Sequence, residues 1–262
     1  MNRIELKMIE SLRELIDTYG VVGVKAEFEA EGTRTEELMR LKEICMAAKV
    51  SLTLKIGGCE ALRDMYDARS IGVNHLVAPM VETPLALRKY LKAIEMVFPA
   101  DEREKVEFLV NIETIQAVKN FDAMVEIPEI NTLDGIVIGR SDLTGSMDLE
   151  SSMADSQELF AITKDLLLKA KKCKMTVVLG GTITAISLPF LRALPAGMLD
   201  RYETRKICFS CPKALGETAV QGIEKALQFE LLWLQNKHNY YKAISEEDDK
   251  RRKILEERCG KI

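Results

Sequence analysis

Apolar positions along the chain switch repeatedly between a two-residue and a 3.6-residue period, the pattern of strands alternating with helices. Residues 3 to 17 carry the longer period through Ile4, Met8, Leu12, Leu15 and Ile16, and Gly20 ends it. The run VVGVKAEFE then alternates, with Val22, Val24, Ala26 and Phe28 on one side and Lys25, Glu27 and Glu29 on the other. Residues 34 to 49 predict a helix with Leu38, Leu41, Ile44 and Cys45 on one stripe. SLTLKIGG repeats the strand pattern, placing Leu52, Leu54 and Ile56 opposite Thr53 and Lys55. Further strands are expected at NHLVAPMVETP, VEFLVNI, GIVIG, KMTVVLGG and LDRYETRKICFS, with helical sequence between them. After Pro212 and Lys213 a long helix carries Ile223, Leu227, Leu231, Trp233 and Leu234, and SEEDDKRRKILEERCGKI reads as a charged, solvated helix.

Strands that alternate with helices predict a parallel sheet, and most simply a (β/α)8 TIM barrel. The apolar faces of the first two strands would then cover the helical layer, leaving Lys25, Glu27, Glu29 and Lys55 toward the interior, where unpaired charge is costly. Seven strands can be counted, so the eighth is expected to be irregular or missing. An open doubly wound sheet is the competing architecture, but no GxGxxG or P-loop follows any strand. The expected organisation is a barrel with an N-terminal helix over residues 1–212 and a C-terminal helical extension over residues 213–262. The apolar load of that extension exceeds the need of one barrel face, which predicts burial against a second subunit in a homo-oligomer.

At 262 residues, 47% hydrophobic and 30% charged, the chain can bury one large core. A net charge of -4 gives no basic footprint for nucleic acid. No apolar run reaches membrane-spanning length, and MNRIELKMIESL reads as an amphipathic helix rather than a signal peptide, so a cytoplasmic protein is expected. The six cysteines lack the density of a disulfide scaffold. Cys208 and Cys211 form a CxxC, but a structural zinc site needs two further ligands. His75 precedes its strand's apolar run, at the end opposite a barrel's active face, and is expected to be structural; His238 lies far from it.

Two consecutive strands end on carboxylates, Glu113 after FLVNI and Asp142 after GIVIGRS. Neighbouring parallel strands run about 4.8 Å apart, close enough for the two acids to share one ion. Oxygen-only ligation suits Mg²⁺ or Mn²⁺, which takes one or two carboxylates and keeps several waters. The same residues also read as a helix cap and the close of a glycine-flanked turn. Gly180 and Gly181 leave backbone amides free to approach an anion, or simply make a tight turn.

The segments HLVAPMVETPLAL, LVNIETIQAVKN and LDGIVIGRSDLTGSMD resemble successive motifs of the HpcH/HpaI aldolase and citrate lyase beta-subunit family. The likeness runs in order over roughly residues 21 to 210. It implies a TIM barrel of the pyruvate and phosphoenolpyruvate type, with Glu113 and Asp142 as ligands of a divalent metal. It also implies that the backbone around Gly139, Arg140 and Ser141 meets the carboxylate of a bound 2-oxo acid.

Two positions depart from the family pattern. The histidine expected after the first strand is absent, leaving Phe28, Glu29 and Glu31, and the active-site arginine of the next strand is replaced by Lys55. Lysine supplies a point charge but not the bidentate fork of arginine. The expected activity is a metal-dependent carbon–carbon lyase or aldolase acting on pyruvate or oxaloacetate, with an aldehyde as second substrate. Lys55 would steady the enolate, and a metal-bound water, Glu27 or Glu29 would carry protons. The competing readings are a Schiff-base aldolase using Lys25 or Lys55, an acyl-CoA lyase, and a non-catalytic barrel used as a binding module.

Overall fold

The alternation becomes a closed barrel of eight strands, β1 to β8 in order around the wall, in the computed structural model, which describes residues 1–260. The chain runs through α1 (Arg3–Tyr19), β1 (Val21–Glu27), α2 (Thr35–Ala48), β2 (Ser51–Lys55), α3 (Leu62–Ile71) and β3 (His75–Ala78). It continues with α4 (Pro84–Val97), α5 (Ala100–Arg103), β4 (Glu107–Ile112), α6 (Ile115–Val125), β5 (Gly135–Gly139) and α7 (Arg140–Ser146). It closes with α8 (Gln157–Lys172), β6 (Thr176–Gly180), α9 (Leu188–Ala193), β7 (Arg201–Glu203), β8 (Ile207–Ser210) and α10 (Ala219–Cys259).

Strands β1 to β7 pair in parallel, and β8 is antiparallel to both neighbours, β7 and β1. The segment LDRYETRKICFS, expected as one strand, is therefore a hairpin that supplies the strand missing from the sequence count. Its turn is closed by Thr204, whose amide donates to the Ile207 carbonyl at 2.9 Å, with Arg205 and Lys206 at the tip. Tyr202 and Phe209 pair across the hairpin and stack at 4.8 Å on its outer face, anchoring it to the helical layer.

The barrel wall separates two kinds of packing. Outward residues such as Val24, Leu52, Leu54, Leu76, Ile136 and Leu179 join the large core beneath the helices. Val22, expected among them, lies in a register shift between Val21 and Gly23 and is 39% exposed. This bulge inserts one residue, so Val21 and Val24 both reach the outer core.

Inward residues form layers. A small apolar girdle of Val77, Leu109, Val137 and Val178 crosses the middle of the barrel. Below it, at the N-terminal ends of the strands, His75 meets the Thr53 hydroxyl at 3.0 Å and the Arg201 guanidinium at 3.3 Å. Burial and the Arg201 charge push His75 down to about 4, so at neutral pH it is an uncharged hydrogen-bonding group, the structural role expected of it. Above the girdle the interior is charged.

The two C-terminal helical segments read from the sequence are one uninterrupted 41-residue helix, α10. Its first half is built into the barrel's coat: Ile223, Ala226, Phe229 and Trp233 are buried, and Gly222 lies close to Tyr19 of α1 and Phe209 of β8. Asn2 caps α1 and also donates to Asn236 of α10 at 2.7 Å. From residue 242 to residue 260 every described residue is exposed; the last two residues of the charged segment lie outside the described residues. No helix among the described residues is long and apolar enough to cross a membrane.

Candidate active site

A cavity of about 230 Å³ opens at the C-terminal ends of the strands, above the apolar girdle. Strand alternation builds it. Lys25 and Glu27 come from β1, Lys55 from β2, Asn111 from β4 with Glu113 just after it, and Glu203 from β7. Asp142 enters from the first turn of α7, and Arg205 from the β7–β8 turn.

Glu113 is the best-held of these groups, at 1% exposure. Its Oε1 accepts from the Met80 amide at 2.9 Å, and its Oε2 accepts from Asn111 Nδ2 at 2.6 Å. Met80 has a φ of 52°, a left-handed conformation uncommon for a side-chain-bearing residue, which presents its amide to the carboxylate. Lys55 Nζ lies 3.4 Å from Glu113 Oε2 and 3.1 Å from Glu29 Oε2. Burial raises the Glu113 pKa above the ordinary carboxylate value, and the nearby Asp142 charge adds to the rise, against Lys55, Asn111 and Met80. Asp142 itself is exposed to the cavity and has no ion-pair partner among the described residues.

The opposite wall holds a second charged group. Lys25 donates to Glu203 at 2.6 Å and lies 3.0 Å from Glu27. Burial alone would lower its pKa, but Glu203 and Glu27 outweigh it and hold the lysine charged above its ordinary range. Lys55 is likewise held above its ordinary value, because Glu113, Glu29 and Glu27 overcome its desolvation. Glu27, pushed up by burial, is brought below its ordinary value by Lys25, so it is ionised at neutral pH. Arg205 approaches Glu27 at 3.5 Å from the rim.

Two glycines make room for these acids. A Cβ at Gly139 would lie 2.7 Å from Glu113 Oε2, and one at Gly180 would lie 3.0 Å from Glu203 Oε1. Gly181, with φ of 81°, sits where a Cβ would be 2.4 Å from the Ser141 amide nitrogen. Gly181 therefore allows close packing of the loop after β6 on α7, while Gly180 makes room for Glu203.

Of the residues expected around a 2-oxo acid, Gly139 and Ser141 line the cavity. The Arg140 side chain does not; the expectation there concerns the backbone and not this side chain. It is fully buried, donating to the Gly181 carbonyl at 2.9 Å and the Ala154 carbonyl at 3.2 Å and pairing with Asp155, so it fastens the loops after β5 and β6 together. Glu29 stands at the exposed rim. Cys208 faces the interior beside Glu203 as a free thiol, and burial pushes it up to about 12.

Among the described residues no three metal-type ligands gather together. The donor set still suits a hard divalent ion, which needs only one or two carboxylates when water completes its shell. The cavity lining carries five carboxylates, Glu27, Glu29, Glu113, Asp142 and Glu203, against the three cations Lys25, Lys55 and Arg205, an excess of two negative charges. Asn111 Oδ1 is a buried acceptor with no partner among the described residues, on the side chain that holds Glu113.

An α/β barrel with its charged groups at the C-terminal strand ends has the architecture of a barrel enzyme, whose chemistry sits at that face. The chain belongs to the HpcH/HpaI aldolase/citrate lyase family, whose sequence model matches residues 40–185. The match takes in Lys55, Glu113 and Asp142 and leaves out β1 and the β7–β8 hairpin. No curated protein matches the chain by sequence.

Solved structures share the fold at low identity. The HpcH/HpaI aldolase from Desulfitobacterium hafniense DCB-2 is 13% identical, with TM-score 0.57, covering 80% of this chain and 91% of its own. A HpcH/HpaI aldolase/citrate lyase family protein from Burkholderia cenocepacia J2315 is 14% identical, with TM-score 0.60, covering 84% and 89%. Citrate synthase SbnG is 13% identical, with TM-score 0.59, covering 87% and 98%.

Proposed function

We propose that the chain is a divalent-metal-dependent carbon–carbon lyase or aldolase acting on a 2-oxo acid of the pyruvate or oxaloacetate type. The observation that carries this reading is the pair Glu113 and Asp142, which line one cavity at its β4–β5 side. Mg²⁺ or Mn²⁺ held by these two acids supplies Lewis-acid polarisation of a keto oxygen when bound.

The protein's own groups divide the remaining work. Lys55, held charged beside Glu113, places a fixed positive charge where an enolate oxygen develops. Asn111 and the Met80 amide fix the Glu113 carboxylate so that it does not reorganise during turnover. In the cleavage direction a carboxylate takes the proton of the substrate hydroxyl, the carbon–carbon bond breaks, and its electron pair passes to the 2-oxo acid fragment as an aldehyde leaves. Glu27 is ionised and can accept that proton, and Glu29, open to solvent at the rim, can exchange it with water.

The charged state of Lys25 and Lys55 speaks against the Schiff-base alternative, since an amine nucleophile has to lose its proton first. The test is exchange of pyruvate methyl protons into deuterated solvent, followed by NMR with and without Mg²⁺ or Mn²⁺. Metal-dependent exchange that disappears in Glu113→Gln is expected. Exchange that is indifferent to the metal and to that substitution would remove the proposal.

A further inference from the structure

Beyond residue 241 α10 leaves the barrel as a fully exposed arm, which at 1.5 Å per residue extends roughly 27 Å. One face of the helix runs without interruption from the body onto this arm. Trp233, Lys237 and Tyr240 line a groove of about 570 Å³ against α1 and α2. At the spacing of successive helical turns the same face continues through Ile244, Asp248, Arg251 and Leu255. Ile244 is 45% exposed and Leu255 is 48% exposed.

The sequence of the arm is complementary to itself when reversed. Glu246, Glu247, Asp248 and Asp249 form an acidic block, followed directly by the basic block Lys250, Arg251, Arg252 and Lys253. Within the helix Arg252 pairs with Asp249 and Glu256, and Glu246 lies near Lys242, but Asp248 and Arg251 have no ion-pair partner among the described residues.

We propose that the arms of two copies of this chain pair antiparallel, about a two-fold axis beside the Asp249–Lys250 peptide. That symmetry sets Asp248 against Arg251 of the second copy, and Ile244 against its Leu255, each contact occurring twice. The acidic block of each arm faces the basic block of the other. A parallel pairing would instead set acid on acid and base on base, which is repulsive. Each arm ends beside Tyr240 of the other, at the mouth of the groove, so the apolar positions at both ends of the arm are covered.

Cysteine cross-linking tests the register in the full-length protein, in a background carrying Cys59→Ser, Cys173→Ser and Cys259→Ser. Ile244→Cys and Leu255→Cys are made separately in that background, then mixed and oxidised. A covalent dimer is expected from the mixture and from neither variant alone, since each of these positions lies roughly 16 Å along the helices from its own counterpart. Adding Asp248→Arg to both variants is expected to cut the yield about tenfold, because like charges then meet across the pair. Adding D248R/R251D together restores it. A mixture that gives no covalent dimer, a variant that links to itself, or a charge exchange that restores nothing would each overturn the proposal.

Discussion

Glu113 rests directly on Gly139: a Cβ at that glycine would lie 2.7 Å from the carboxylate Oε2 and 2.8 Å from the Glu113 Cβ. Neither contact is tolerable, and the Glu113 carboxylate is already fixed by Met80 and Asn111. Gly139→Ala should therefore move the carboxylate while leaving the barrel intact. The expected result is a loss of turnover of about a hundredfold, the scale of a sub-ångström to ångström displacement in an active site. Binding of Mn²⁺, followed by electron paramagnetic resonance, should weaken in parallel, while the circular dichroism spectrum stays unchanged.

The same carboxylate is a cost to the fold. Burial and the Asp142 charge raise its pKa, so the folded state binds the Glu113 proton more tightly than the unfolded chain does. The resulting stability is fully present below the unfolded value and is lost as pH rises through the folded one, so ionised Glu113 destabilises the metal-free protein at neutral pH. Glu113→Gln removes that penalty. Its new amide is satisfied if Asn111 turns its unpartnered Oδ1 toward it. The variant should melt at a higher temperature than the unsubstituted protein in chelator, and should gain nothing from added Mg²⁺.

Lys55 separates charge from nucleophile. If its ammonium steadies a developing oxyanion, Lys55→Met should cost about 100- to 1,000-fold in kcat. Lys55→Arg keeps a positive charge near Glu113 and Glu29 and should retain more of the activity. Borohydride in the presence of pyruvate should leave the mass of the protein unchanged. A trapped adduct on this lysine would replace the metal-assisted reading with an imine one.

The site was legible where it followed strand alternation. Lys25, Glu27 and Lys55 face inward because every second residue of β1 and β2 must, and Glu113 follows β4 by the same rule. Glu203 obeys it too, beside outward Tyr202, but the polar run ETRK hid the turn that divides β7 from β8. No local pattern distinguishes a reversed strand from a continuing one there. The bulge at Val22 was equally hidden, because it is imposed by pairing with β8 and not by the strand's own composition. Arg140 shows a third limit. Its neighbours Gly139 and Ser141 line the cavity, yet its own side chain turns away to tie two loops through carbonyls distant in sequence.

At the opposite end of the barrel, His75 makes a pH dependence that owes nothing to catalysis. It faces Arg201 and Glu107 as well as the Thr53 hydroxyl, and burial with the Arg201 charge pushes it down to about 4. In the unfolded chain a histidine titrates near pH 6.5, so between these values the unfolded state binds the proton that the folded state refuses. Stability should thus be level above about pH 6.5 and fall as pH drops toward 4. The loss has an upper limit on the order of 3 kcal/mol. Urea unfolding at pH 7 and pH 5 measures it. In His75→Gln, which keeps a hydrogen-bonding side chain but cannot titrate, the difference between the two pH values should shrink. An equal loss in both proteins would assign the acid sensitivity to the carboxylates instead.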